Sequence, residues 1–145
     1  MDLQSFLLNQ DYTKIKLHLT KTNHFEIIAK INGVKGRFIV DTGASNSCVG
    51  LDAFENFKLE GKASDIKAAG AGSSEMETMM SVAQTVSIGG WKQQKVALIL
   101  FNLVHVNTAL AAHNANPVHG IIGADLLRKG KAIIDYDKKY LYLKL

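Results

Sequence analysis

The stretch "RFIVDTGASNSCVG", residues 37–50, drives an acidic side chain straight out of an apolar strand and then breaks the chain with Thr-Gly-Ala-Ser. Phe38, Ile39 and Val40 are strand formers that bury, so the sequence puts Asp41 at the lip of a core where water is scarce. A carboxylate in such a place is costly unless it holds its proton or finds hydrogen bonds. Gly43, with no side chain, lets the chain turn so that backbone N–H groups face the Asp41 oxygens, and Thr42 and Ser45 add hydroxyls that brace the turn or the carboxylate. The plainer alternative is an Asx-type turn in which Asp41 only bonds its own backbone. An Asp-Thr-Gly triplet alone arises by chance in on the order of one chain in a hundred of this size, given average residue usage.

Around this stretch the dominant signal is period 2. In "YTKIKLHLT" the apolar Ile15, Leu17 and Leu19 alternate with Lys14, Lys16 and His18, and in "HFEIIAKI" Phe25, Ile27, Ala29 and Ile31 do the same. Both read as half-buried strands, joined by a turn at "KTNH". Asn32-Gly33 in "INGV" is a hairpin signal because both residues accept positive φ, and it leads into the strand "VKGRFIV". "LDAFENF" reads as a short helical turn. Residues 60–101 turn β-like again, with reversals at "GAGSS" (70–74) and "IGGW" (88–91). "NTALAAHNANPVHG" reads as a loop, "IIGADLLRKG" as a strand end followed by a short helix, and "KAIIDY" with "KYLYLKL" as a last hairpin in which Tyr140 and Tyr142 oppose Leu141, Leu143 and Leu145. The pattern is all-β with one or two short helices, and its short strands around glycine turns predict a closed or partly open β-barrel rather than a parallel sheet.

The totals narrow the field. A chain of 145 residues with 47% hydrophobic and 21% charged residues describes one globular domain. No apolar run approaches the roughly 20 residues of a membrane helix. Asp2 stands where a secretory leader carries Lys or Arg, so the expected location is the cytoplasm, with no membrane partner. The single Cys48 closes no intrachain disulfide and reads as a core residue of a reducing compartment. The net charge of +4 comes from scattered lysines; a small basic barrel that binds nucleic acid would explain it but would leave "DTGAS" and "GIIG" unexplained, so no nucleic-acid partner is expected. His105, His113 and His119 lack a compact ligand spacing, so neither a metal nor a cofactor is expected.

"FIVDTGAS", "AAGAGSSEM" and "GIIGADLL", in that order and at these separations, resemble the retropepsin-like aspartic proteases. The resemblance covers residues 12–145 and leaves residues 1–11 as an N-terminal extension, whether a helix, an arm or a removable segment. It implies an acid-protease-type barrel with a flap hairpin. Asp41 would be the catalytic residue, Thr42, Gly43, Ala44 and Ser45 would support its turn, Gly70, Ala71 and Gly72 would form the flap, and Ile121, Ile122 and Gly123 would be the second apolar-Gly motif. In this chemistry two carboxylates share one proton and activate a water between them, one as general base and the other polarising the scissile carbonyl.

One copy of the chain carries one such aspartate. Asp125 and Asp135 lack Gly two places on, and they read as a first-turn helix acid and a strand-end residue. The resemblance therefore implies a homodimer with the site on its symmetry axis, acting on a peptide held as an extended strand. Met76, Met79 and Met80 after the flap would line pockets or fill the core. Ser45 stands where viral members usually carry an acid and Ala124 where they carry arginine, so the chain is more similar to the cellular and bacterial branch. That departure leaves the viral interleaving of chain termini in question, and "KYLYLKL" is either an interface strand or an internal one. His119 stands where related sequences often have Asp and would be a pH-sensitive modulator near the cleft. The runner-up function is a peptide-binding scaffold that keeps the barrel and turn but cleaves little.

Overall fold

The computed structural model describes residues 1–68 and 76–145, with side chains throughout except at residues 64–68, 76 and 77. The alternating stretch at residues 12–19 divides at Leu17, and its halves join different sheets. β1 (Tyr12–Lys16) enters a three-stranded sheet, whereas β2 (His18–Leu19) pairs with β3 (Phe25–Ile31). Leu17 is buried at the branch point, and Leu19, expected inside, is exposed. The chain continues through β4 (Val34–Val40), β5 (Cys48–Gly50), a 3₁₀ turn at Phe54–Phe57, β6 (Lys62–Ala68), β7 (Met76–Ile88) and β8 (Trp91–Phe101). After helix α2 (Val104–Ala112) come β9 (Gly120–Ile122), α3 (Ala124–Lys129), β10 (Ile133–Asp135) and β11 (Tyr140–Lys144). A short helix α1 (Leu3–Leu8) precedes them, its first turn capped by Asp2, whose carboxylate accepts the Ser5 N–H at 2.8 Å.

Six strands close into a ring in the order β3, β4, β9, β5, β8 and β7, and β7 returns to β3 by pairing Val86 with Ile31. The closed barrel expected from the sequence is therefore present. Its interior is filled by Phe38, Phe57, Ile27, Ile31, Leu98 and Leu100, all close to fully buried. The Asn32-Gly33 turn has φ of 51° and 81°, the positive values of a type I′ hairpin, and joins Ile31 to Val34 across the turn.

Within the barrel the pairing is mixed, because β4 runs parallel to β9 and β5 runs parallel to β8. Parallel strands need both faces covered. Ile39, Cys48, Ile99 and Phe101 accordingly bury on the face away from the barrel interior. A correction to the sequence reading supplies that cover. The first part of the segment read as a loop, residues 107–112, belongs to α2, and residues 113–119 remain irregular. Among the residues of α2 only Leu110 is fully buried, so the helix shows no apolar stripe; the cue was the helix-forming run of Ala109, Ala111 and Ala112. Asn102 Oδ1 meets the first helical N–H, that of Val104, at 2.8 Å.

The remaining sheet has the order β1, β11, β10. "KYLYLKL" is thus an internal strand, hydrogen-bonded along both edges within its own chain. Leu141 and Leu143 face the core beside Ile15, while Tyr142 is buried on the opposite face and Leu145 is exposed. No helix among the described residues is long and apolar enough to cross a membrane.

Candidate active site

Asp41 leaves β4 at the point where the strand runs beside β9. Val40 is in register with Ile122, and the ladder extends one residue further as the Asp41 N–H donates to the Ile122 carbonyl at 2.9 Å. The Gly43 N–H then donates to Asp41 Oδ1 at 2.9 Å, and the Ala44 N–H donates to the Asp41 carbonyl at 3.2 Å. A Cβ at position 43 would stand 3.3 Å from Asp41 Oδ1. A side chain there would crowd the carboxylate, and no left-handed φ is involved.

Asp41 itself is exposed, as are Thr42 and Ser45. The dry setting read from the sequence is not made by one chain, because the strand's apolar residues end at Val40 and the turn carries Asp41 outward. Among the described residues neither the Thr42 nor the Ser45 hydroxyl is hydrogen-bonded.

The hydroxyl that braces the turn is Ser47, which is fully buried. Its Oγ donates to Asp125 Oδ1 at 2.7 Å and accepts the Gly123 N–H at 2.8 Å, while its own N–H donates to the Asp125 carboxylate at 3.0 Å. The Leu126 N–H adds a bond to Asp125 Oδ1 at 2.8 Å, and the Ala124 N–H donates to the Ala44 carbonyl at 2.7 Å. Asp125 is therefore more than the helix-dipole acid read from the sequence. It ties the second apolar-Gly motif to the first across 78 residues of chain. The cue was polar placement: a serine just before a buried strand and an acid just after "IIGA" are polar groups that burial obliges to find hydrogen-bond partners.

Ser47→Ala removes the bridging hydroxyl and leaves the Gly123 N–H without its acceptor. A loss of about 1–3 kcal/mol of unfolding free energy is expected in urea denaturation.

Beside the turn a groove of about 360 Å³ is lined by Thr42, Leu127, Arg128, Ala132 and Ile134. A larger cavity, about 570 Å³, touches none of the motif residues; it lies against Asn32, Lys58, Met80, Val82 and Gln84. Met79 is packed against the barrel core, and Met80, which lines the larger cavity, is packed against the cluster of Cys48, Ile99 and Phe101. Met76 and the flap residues Gly70, Ala71 and Gly72 lie outside the described residues or side chains.

Cys48 is buried, and that burial pushes its thiol up to about 12, so it is a neutral core group. His119 is not beside Asp41. Its Nδ1 accepts the Arg37 N–H at 2.9 Å and its ring stands edge-on to Phe57, 5.5 Å between centroids. His105 and His113 are exposed on and after α2, and no group of three metal-ligating side chains occurs among the described residues.

Burial, with the Arg37 guanidinium beside it, holds the His119 imidazole below its usual range, against a smaller opposing pull from Asp52. The folded chain thus binds fewer protons here than the unfolded chain. The stabilisation is fully present above the unfolded value of about 6.5 and is lost as pH falls through the lower folded value. Urea midpoints measured from pH 7.5 down to 5 should fall in the wild type, and that fall should be blunted in His119→Gln.

The opposite side of β4 and β9 carries the cover described above. Ile39 packs with Leu110 and Val118, and Asn107 holds the loop in place by accepting the Val118 N–H at 2.8 Å and donating to the Val118 carbonyl at 3.2 Å.

A family model described as aspartyl protease matches residues 27–126, spanning β3 through the start of α3. No curated protein matches the chain. Among solved structures, a retropepsin-like aspartic protease from Rickettsia conorii is 22% identical, with 91% of this chain and 89% of that one covered at a TM-score of 0.59. EIAV protease, solved with the inhibitor HBY-793, is 18% identical over 76% of this chain and 90% of its own, at a TM-score of 0.54. The retroviral protease-like domain of Ddi1 from Leishmania major is 18% identical over 81% and 86%, at a TM-score of 0.53. At such identities these structures establish a shared fold.

Proposed function

The chain belongs to the aspartyl protease family, and from that premise we propose that it is an endopeptidase whose Asp41 works as one half of a dyad completed by a second copy. The observation that carries this reading is the exposed Asp41 carboxylate on a turn that is rigidly held from behind but open in front. Its Oδ1 accepts the Gly43 N–H, and the peptide ladder to Ile122 and the Ser47–Asp125–Gly123 network fix the backbone on which it stands. A carboxylate so oriented and water-accessible is placed to polarise a water. Among the described residues no second acid shares its turn.

In the proposed dimer the two Asp41 carboxylates hold one proton between them. The ionised one takes a proton from the bound water as that water attacks the scissile carbonyl; the protonated one hydrogen-bonds the carbonyl oxygen, and the proton taken from water passes to the leaving amine. Thr42, Gly43, Ala44 and Ser45 serve as the turn, Ile121, Ile122 and Gly123 as its support, and Gly70, Ala71 and Gly72 as the flap. The catalytic domain is residues 12–145, with residues 1–11 as an extension. A single unpaired cysteine favours the cytoplasm as its location.

The arrangement of the terminal sheet bears on how two copies meet. With both edges of β11 occupied by its own chain, exchange of C-terminal strands has no free edge to use. The outer edge of β10 has no partner strand among the described residues, and it adjoins the groove beside Thr42. Two β10 strands approaching antiparallel about a twofold centred on Ile134 would set Lys131 opposite the second copy's Asp137, a favourable charge pairing. The test is hydrolysis of a peptide library across a dilution series beside sedimentation equilibrium. Activity should track the dimer fraction, and a monomer that cleaves peptides overturns the proposal.

A further inference from the structure

The outer face of β4 is covered at the end that leads into Asp41: Lys35 is exposed and Arg37 half-buried, whereas Ile39 is buried. Side chains two apart on a strand share a face, so Ile39 lies beside Asp41, and Ile121, in register with Ile39, lies next to it on β9. Ile39 is only 6% exposed. Its cover is Leu110 from α2 and Val118 from the loop that follows, at 2% and 4% exposure, with Val106 half-buried on the same cluster. Val106 also touches the neighbouring cluster of Cys48, Ile99, Phe101 and Leu103, so α2 spans the outer face from β4 to β8. The two Asn107 bonds to Val118 lock the helix and the loop to each other. What stays partly open on this outer cluster is Ile121 and Val106.

We propose that α2 is the specificity wall of this site. Val106 and Leu110 fill the space that a large side chain flanking the scissile bond would need, so the chain selects peptides with small residues, Gly, Ala or Ser, at that position. The inference rests on the protease reading above. Packed side chains leave no spare volume, and each methylene that a pocket lacks room for costs roughly ten-fold or more in selection.

The experiment compares kcat/KM for peptides that carry Ala or Phe beside the cleaved bond, using wild type, Val106→Ala and Leu110→Ala. The wild type should prefer Ala by about ten-fold or more, and each variant should shrink that preference by a similar factor. Val106 is partly exposed, so its variant remains informative where Leu110→Ala fails to fold. An unchanged preference in a folded variant, or a wild type that takes Phe as readily as Ala, overturns the wall.

The same peptides with a non-cleavable hydroxyethylene group at the central bond give the ratio as binding constants. Binding that discriminates by size without any cleavage upholds the wall and overturns the chemistry. Cleavage without discrimination does the reverse, and absence of both binding and cleavage overturns both.

Discussion

Asp41→Asn is expected to abolish peptide hydrolysis, by roughly a thousand-fold or more, with almost no change in unfolding free energy. Removing a group that takes and gives the proton in the rate-limiting step is worth that order of rate. The stability half of the expectation follows from geometry. Asparagine keeps an oxygen where Asp41 Oδ1 accepts the Gly43 N–H, and the remaining bonds of the turn are made by backbone. Asp41 is exposed in the single chain, so the substitution leaves no buried donor unmet.

The measurement pairs initial rates on a peptide library with urea denaturation of the same preparation. Mixing the variant with wild type adds a sharper result: if each site needs an Asp41 from both copies, excess Asp41→Asn chain drags wild-type activity down by forming mixed dimers. Hydrolysis that survives in the pure variant would remove Asp41 from the role given to it.

Gly123→Ala is the second large effect, and it acts through the backbone of the active turn rather than through the carboxylate. A Cβ on residue 123 would stand 2.6 Å from the Ala44 carbonyl oxygen and 3.1 Å from the backbone of Asn46. Neither is the end of a flexible side chain, so one of the two motifs has to move. The same contact zone holds the Ala124 N–H bond to Ala44 and the Gly123 N–H bond to Ser47 Oγ, and displacement strains both. A loss of about 3 kcal/mol or more in stability is expected, together with lost turnover, because a shift near 1 Å at a catalytic group can cost about a hundred-fold in rate. Thermal unfolding and residual activity below the midpoint separate the two consequences. A variant of wild-type stability and rate would show that the turn is not held from this side.

"FIVDTGAS" and "GIIGADLL" were each legible as a strand end because each is local: apolar strand residues stopped by residues that break a strand. The period-2 runs, the Asn32-Gly33 hairpin, the "IGGW" reversal and the last hairpin were legible for the same reason, since alternation and turn chemistry are set by neighbours in the chain. α2 was not, because a helix that buries a single leucine leaves no apolar period to read. The parallel pairings were not, because adjacency of β4 with β9 and of β5 with β8 depends on where distant segments meet. Ser47 is the instructive omission. A lone serine carries no pattern, and its weight comes from being fully buried within reach of Asp125 and Gly123, 78 and 76 residues away.

The sequence by itself determined that a carboxylate would sit at the end of an apolar strand on a glycine turn, that a matching apolar-Gly segment would follow, and that most of the chain would be short strands. Those are statements about local preference, and local preference is what a linear string encodes. Only the tertiary structure decided that Asp41 stands exposed on a braced turn, that Ser47 and Asp125 hold that turn, that the C-terminal strand is internal to its own sheet, and that α2 covers Ile39 on the outer face of β4. Each of these depends on burial and on partners far apart in sequence, and burial is a property of the folded surface that no residue carries alone.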